Sequence, residues 1–475
     1  WRLISPQTGS FSDNQDITAW YFPFIETAIS NGVITNEQNF RPKDAITREE
    51  MAIMMVRTLG YNNLALQLSS QKCLFTDVTK SIGYMNLLKD FAIVVGSGNN
   101  LYKPTTTATR EEAAAILIRM YNKLHEKLNH LYGFYSSGAY SQKELINGLD
   151  GISFDWIKQT YSQGNLELTL ALPAGYEEPI AIAKSKGMPV QLMLLIDNSQ
   201  QMTLENGASQ SVLTYLFTND LARKHLIDNI VTVLTGNVPF DGITIDFESM
   251  SSASMAPLFN SFLTELDASL VQNSKTLTVA VQPQENYKGY DYKAIGKIAD
   301  HVILMAHDYE TKKLSTTDMA RGFTYTPLTP IKSIYSALKS ITDPLTGVQD
   351  KNKIYLQISF SSAQWQLSNN QVINATPYNP TYDMIKQRLL QEGVDIHYDL
   401  ASQNTYATYL NSETNLQNVI WYEDSRSVLA KVTLAQMFGI NNISLWRLGN
   451  IPNYPAEPSI NLNVWESLLS KFLTQ

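Results

Sequence analysis

The chain has 475 residues, 44% of them hydrophobic, and a formal net charge of −8. That length makes room for two or three domains with sizeable cores, and the acidic balance argues against a nucleic-acid partner. A single cysteine, Cys73, rules out an internal disulfide, none of the six histidines falls in a metal-ligand spacing, and no apolar run approaches the ~20 residues that cross a bilayer.

The chain begins at Trp1 with neither Met nor a signal-peptide pattern, which reads as a processed or truncated product. Residues 1–125 then carry an internal repeat. FRPKDAITREEMAIMMVRTLGY, from Phe40, matches YKPTTTATREEAAAILIRMYNK, from Tyr102, and the same 62-residue step separates Arg48 from Arg110 and Arg57 from Arg119. Upstream, the FSD of Phe11–Asp13 pairs with the FTD of Phe75–Asp77. Two units, about 11–62 and 75–123, each read as a short opening turn, a helix, a loop ending in aromatic-x-Pro, and a second helix. Repeats of this length bury their faces against one another. Thr47 with Glu50, and Thr109 with Glu112, have the spacing of capping boxes. That leaves the shared Arg48 and Arg110 open to two readings, a structural arginine or an anion site at a helix start.

The repeat unit resembles the S-layer homology module, whose motif reads like ITRAE. In that family the Arg and an Asp near the repeat start line a groove for a pyruvylated secondary cell-wall polymer. The resemblance implies that role for Arg48, Arg110, Asp13 and Asp77, with Trp20 beside them and Tyr84 near the Trp20 position in the second unit. Such modules usually come in threes. Two are visible, and residues 1–10 read as the tail of a lost first one.

No Pro- or Gly-rich linker follows, so the second domain, 128–475, is expected to be docked or joined by a short helical spacer. Eight β-type runs stand out: LYGFYSS from Leu131, GISFDWI from Gly151, VQLMLLI from Val190, GITIDFE from Gly242, LTVAVQP from Leu277, HVILMAH from His301, IYLQISF from Ile354 and ISLWRLG from Ile443. Amphipathic helical stretches lie between several of them. Alternation of this kind predicts parallel pairing, and eight units predict an α/β fold, a (β/α)₈ TIM barrel, with active residues at the C-terminal ends of its strands. The stretch of about 361–420 is too long for one barrel helix and reads as a small α+β insertion.

The fourth run ends the octapeptide DGITIDFE, Asp241–Glu248. On a strand, Thr244, Asp246 and Glu248 share one face while Ile243, Ile245 and Phe247 take the other. Two carboxylates about 6–7 Å apart raise each other's pKa. A protonated carboxyl beside an ionised one is what glycoside hydrolysis needs. An acidic pair closing an apolar strand also opposes core packing unless it is used.

The octapeptide resembles the DxxDxDxE signature of the family 18 glycoside hydrolases, the chitinase-like group. Asp241 matches the first Asp, Asp246 the third and Glu248 the acid, while Thr244 stands where chitinases usually carry the middle Asp. The resemblance implies that Glu248 protonates the glycosidic oxygen and the substrate's own acetamido oxygen attacks the anomeric carbon. Asp246 would orient that group, and Asp241 would support the pair. Met305-Ala306-His307-Asp308-Tyr309 resembles the family's MxYD motif, which contacts the N-acetyl group. That implies substrate roles for Met305, Asp308 and Tyr309, with His307 as a substitute donor; a hydrogen-bonded core histidine is its structural alternative. Gln282 ends the fifth run. Trp446 lies where the family keeps a Trp under the sugar, although a lone Trp is more often core; Trp156 and Trp365 are weaker candidates.

These readings combine into a surface-anchored glycosidase acting on β-1,4-linked N-acetylglucosamine polymers, peptidoglycan or spore cortex first and chitin second. It resembles the spore-associated branch of family 18 and is expected at the wall, S-layer or spore surface of a Gram-positive-type bacterium. No cofactor or metal is expected, and the partners are the glycan substrate and the wall polymer, with no nucleic acid. The rival reading is a non-catalytic, sugar-binding S-layer protein.

Overall fold

The computed structural model describes residues 2–35, 38–162, 164–204 and 207–472, so Trp1 lies outside the described residues. The chain divides into two compact units, Trp1–His125 and Glu126–Gln475.

The first unit is helical, with helices at Phe22–Ser30, Arg48–Thr58, Asn62–Gln67, Ile82–Asp90 and Arg110–Leu124. Thr47 and Thr109 cap the second and fifth in full capping boxes with Glu50 and Glu112, each cap worth about 0.5–2 kcal/mol. The repeat is also exact in its loops. Asp13 accepts the backbone N–H groups of Phe40 and Arg41 at 2.8 and 2.7 Å, and Asp77 those of Tyr102 and Lys103 at 2.8 and 2.7 Å. Phe11 packs on Phe40 with ring centroids 5.5 Å apart, as Phe75 does on Tyr102 at 5.2 Å.

The second unit is a closed parallel barrel of eight strands: β1 (His130–Tyr135), β2 (Gly151–Phe154), β3 (Val190–Asp197), β4 (Gly242–Glu248), β5 (Thr276–Val281), β6 (His301–Leu304), β7 (Ile354–Ser359) and β8 (Asn442–Trp446). Each of the eight runs read from sequence forms one of them. Neighbours in sequence are neighbours in the barrel, and β8 closes on β1 with Leu131 opposite Ile443. The strands read as apolar runs because helices cover their outer faces. Phe247, for example, stacks on Phe259 and Phe262 of helix Met255–Gln272. Each such ring, fully buried, stabilises the fold by about 1.5–3 kcal/mol.

The base of the barrel uses one device three times. Asp150, just before β2, accepts the Leu131 N–H of β1 at 2.8 Å; Asp241, just before β4, accepts the Val190 N–H of β3 at 2.9 Å; Asp300, just before β6, accepts the Leu277 N–H of β5 at 2.8 Å. The residue before β2, β4 and β6 thus ties down the start of the strand that precedes it. Gly242 fits beside this clamp because a Cβ there would lie 2.4 Å from the Thr276 carbonyl oxygen.

Between β7 and helix Ser425–Met437 lies an antiparallel sheet ordered Gln371–Val372, Ala363–Ser368, Leu416–Tyr422, Asn404–Asn411, Asp395–Asp399, with helix Tyr382–Leu389. Where it rejoins the barrel, Glu423 and Lys431 form a fully buried ion pair at 2.7 Å. Asn404, Ser427 and Thr329 also donate to that carboxylate.

Candidate active site

The alternation of β4 is observed. Ile243, Ile245 and Phe247 are buried toward the helices, while Thr244, Asp246 and Glu248 face the barrel interior and its C-terminal mouth. Thr244 is deepest. Its hydroxyl sits 2.8 Å from Ser153 Oγ and donates to Gln191 Oε1 at 2.9 Å, and Tyr132 OH donates to the same oxygen at 2.9 Å. The layer under Asp246 is therefore hydroxyls and an amide, with no ionisable carboxyl where the signature usually supplies one.

Asp246 is buried, and its Oδ1 has no hydrogen-bond partner among the described residues. Burial, and then the charge of Glu248, hold its carboxyl well above the usual range. Burial also raises Glu248; Asp197 and Asp308 add to the shift and the charge on His307 opposes it. The two carboxyls are the poised, unequally placed pair that proton transfer requires.

His307 lies across from them at the end of β6. Its Nδ1 is 2.7 Å from Asp308 Oδ2 and its Nε2 2.6 Å from Gln357 Oε1. Burial disfavours its cation, but Asp308 and then Gln357 and Glu248 outweigh that, and the net shift is upward. Asp308 is held below the usual carboxylate range: burial pushes it up, and His307 and Lys312 overcome that. Tyr309 has a buried hydroxyl without a partner among the described residues. Met305 belongs to the apolar cluster inside the barrel with Tyr132, Met193 and Tyr355, and Trp446 lies against that cluster. Its ring meets Phe134 edge-on at 5.3 Å.

Asp246, Glu248, His307 and Asp308 thus gather at one end of the barrel with Met305 and Trp446 beside them, while the Tyr309 hydroxyl lies near Tyr292, Glu285 and Tyr287. Asp241 is not among them. It begins β4 at the opposite end, and its carboxylate is one of the three strand clamps, so its expected support of the pair is corrected to a role in the barrel base. Gln282 is engaged by the protein itself: its Oε1 accepts from Ser249 N at 2.7 Å and Tyr290 OH at 3.2 Å, fixing the turn after Glu248. Thr244 lies below the pair in the hydroxyl layer. Trp156 and Trp365 are core residues, the latter bonded to Thr326 at 2.7 Å.

Sequence reasoning missed Asp197, Gln357 and Tyr290. Asp197 accepts from Ser249 Oγ at 2.7 Å, and Tyr290 OH donates to the Phe247 carbonyl at 2.7 Å. The signal was a polar residue inside or closing an apolar strand, as in VQLMLLID and IYLQIS.

In the first unit Arg48 is not presented to an anion. Its guanidinium is buried against Tyr102 and paired with Glu112, which corrects the anion-site reading at this position. Asp13 and Asp77 hold loop backbones. Arg110 and Trp20 are exposed.

The model for glycosyl hydrolases family 18 matches residues 201–450, and the S-layer homology domain model matches 10–52 and 74–114. The cortical fragment-lytic enzyme of Bacillus anthracis is 27% identical over 285 residues, 58% of this chain and 61% of that protein. The chain therefore spans about three fifths of that relative's length. Among solved structures, the Bacillus cereus spore cortex-lytic enzyme SleL aligns with TM-score 0.55 and 19% identity over 82% of this chain and 84% of its own. A chitinase from Chromobacterium violaceum ATCC 12472 aligns with TM-score 0.56 and 18% identity over 73% and 99%. At these identities the likeness speaks to the barrel fold.

Proposed function

The chain belongs to family 18 of the glycosyl hydrolases, and on that premise we propose that it is a bacterial cell-surface glycosidase that cleaves N-acetylglucosamine-containing wall glycan. The observation that carries this reading is the Asp246–Glu248 pair, a buried and a partly buried carboxyl on one face of β4 at the mouth of a barrel, with both pKa values shifted upward.

Glu248 is the general acid. Its raised pKa keeps a proton available for the leaving glycosidic oxygen, and the same group then serves as base toward water. Asp246, two residues deeper on the same strand face than Glu248, orients the acetamido group, whose oxygen acts as internal nucleophile. The anomeric configuration is then retained with no covalent sugar–enzyme bond. Burial raises both carboxyls, His307 moderates the shift of each, and Asp308 acts on Glu248. Trp446 offers an aromatic surface beneath the sugar.

The relation to the cortical fragment-lytic enzyme favours peptidoglycan or cortex over chitin, and the S-layer homology repeats favour attachment at the wall of a Gram-positive-type bacterium. Mass spectrometry of products from purified peptidoglycan and from chitin oligomers tests the reading. Cleavage after N-acetylglucosamine in peptidoglycan, lost in Glu248→Gln, is expected. Failure to cleave either glycan would leave a sugar-binding protein in its place.

A further inference from the structure

The two repeats of the first unit meet head to tail. From the first repeat, Arg48 Nε donates to the Tyr102 carbonyl at 2.8 Å, and its guanidinium lies 4.8 Å over the Tyr102 ring and pairs with Glu112. Tyr102 OH returns a bond to the Arg48 carbonyl at 2.9 Å. The first backbone N–H groups of the same helix, Arg48 and Glu49, donate to the carbonyls of Thr106 and Pro104 at 2.9 and 3.0 Å, and Thr47 faces Thr107 in an antiparallel bridge. Further along the helix, Met55 and Val56 are 6% and 0% exposed.

The 62-residue step maps the ion pair, the aromatic face and the backbone bonds of this contact onto a second set that is open; Phe40 lacks only the hydroxyl with which Tyr102 returns a bond. On the giving side, Arg48, Met55 and Val56 become Arg110, Leu117 and Ile118. Leu117 and Ile118 are 50% and 54% exposed, and Arg110 is exposed with no hydrogen bond or ion pair to any described residue. On the receiving side, Tyr102, Pro104 and Glu112 become Phe40, Pro42 and Glu50. These three line a pocket of about 380 Å³. The unit thus holds one closed contact and both halves of another.

We propose that these halves are made for each other: the Arg110 face of one copy of this chain docks in the Phe40–Glu50 pocket of a second copy. The internal contact shows that the two surfaces are complementary in this sequence. A guanidinium meets a carboxylate and an aromatic face, two free helix N–H groups meet two free loop carbonyls, and two exposed aliphatic side chains leave water. Arg41 holds Glu50 at 2.5 Å in the meantime and must give way. Because giver and receiver are different surfaces, the contact is heterologous, and association continues until a ring closes or a filament grows.

Cross-linking tests this in the full chain with Cys73→Ser. Thr47 and Thr107 map onto Thr109 and Ala45, and bridge partners of this kind lie about 4.5–5.5 Å apart at Cα, within disulfide reach. Thr109→Cys and Ala45→Cys are made in separate molecules. Mixed and oxidised, they should give a covalent dimer that neither gives alone, and adding Leu117→Glu should abolish it. Sedimentation velocity of the unmodified chain should show concentration-dependent association that Leu117→Glu, an exposed and fold-neutral change, removes. A chain monomeric at every concentration, or cross-linking equal in the single variants, overturns the proposal. So does a monomeric chain in which Arg110→Glu weakens wall-polymer binding, an outcome that gives this face to the polymer.

Discussion

His307 and Asp308 are consecutive residues whose side chains bond each other, Nδ1 to Oδ2 at 2.7 Å. The backbone allows it because Asp308 has φ +62°, the left-handed conformation that Asp tolerates better than most residues. With Gln357 Oε1 at the other ring nitrogen, His307 faces an acceptor at each end, an arrangement that favours its cation and shifts its pKa upward although burial opposes it.

That arrangement fixes the sign of a pH effect. The His307 cation lowers the pKa of both Asp246 and Glu248, while Asp308, also near Glu248, raises it. His307→Gln removes the positive charge and keeps a polar side chain. The general acid then stays protonated to higher pH, so the alkaline limb of kcat/KM should move upward while kcat falls. A pH–rate profile on a soluble N-acetylglucosamine oligomer checks both; an unmoved limb would exclude the charge role.

Glu248→Gln should lower turnover on natural glycan by at least ~10²–10⁴-fold, the usual contribution of a general acid–base group. Circular dichroism should remain that of the wild type, because Glu248 ends its strand and is only partly buried. Retention of a tenth of the activity would remove it from the acid role.

Asp246→Asn should stabilise the protein and inactivate it. The folded pKa of Asp246 is raised, so its ionisation opposes folding. Below the unfolded-state pKa of about 3.9 the group is protonated in both states and the substitution changes little. As pH rises above that value the wild type bears a growing penalty, which levels off above the raised folded pKa. Thermal melts of the two proteins should therefore coincide at low pH and separate toward neutrality, with the variant higher.

The junction of insertion and barrel predicts a large loss. Lys431→Met leaves the buried Glu423 carboxylate without its cation, a change that typically costs about 3–5 kcal/mol. Urea unfolding should show it as a lower midpoint. Turnover per folded molecule should be preserved, since neither residue is among the groups that shift Asp246 or Glu248.

The eight barrel strands were legible because strands buried on both faces are written as short β-branched runs separated by helices. The acidic pair was legible because period-two alternation in DGITIDFE separates polar from core positions without any long-range information. Gln357 and Tyr290 were not, since their partners lie 50 and 43 residues away in sequence. Arg48 and Arg110 illustrate the same limit. Their local sequences are nearly identical, but only Arg48 has a following repeat to receive it. Asp241 was misread although the clue was present: Asp150-Gly151-Ile152 repeats the Asp241-Gly242-Ile243 triplet before a strand that carries no chemistry.

Asp241→Ala should accordingly separate stability from activity. It leaves the buried start of β3 short of an acceptor, at a cost of about 1–3 kcal/mol. kcat/KM should stay within a few-fold of wild type when assayed well below the melting temperature. A loss comparable to that of Glu248→Gln would return Asp241 to the catalytic group.

The clamp at Asp241 also changes how the octapeptide should be weighed as a fingerprint. Its opening Asp and Gly answer to barrel assembly, so they would persist in a descendant that had given up hydrolysis and kept only the shape. Only the last three residues, Asp246-Phe247-Glu248, carry information about turnover, and of these the Phe speaks for packing. On the proposed mechanism, two side chains then decide whether a barrel of this kind is counted among enzymes or among their silent relatives.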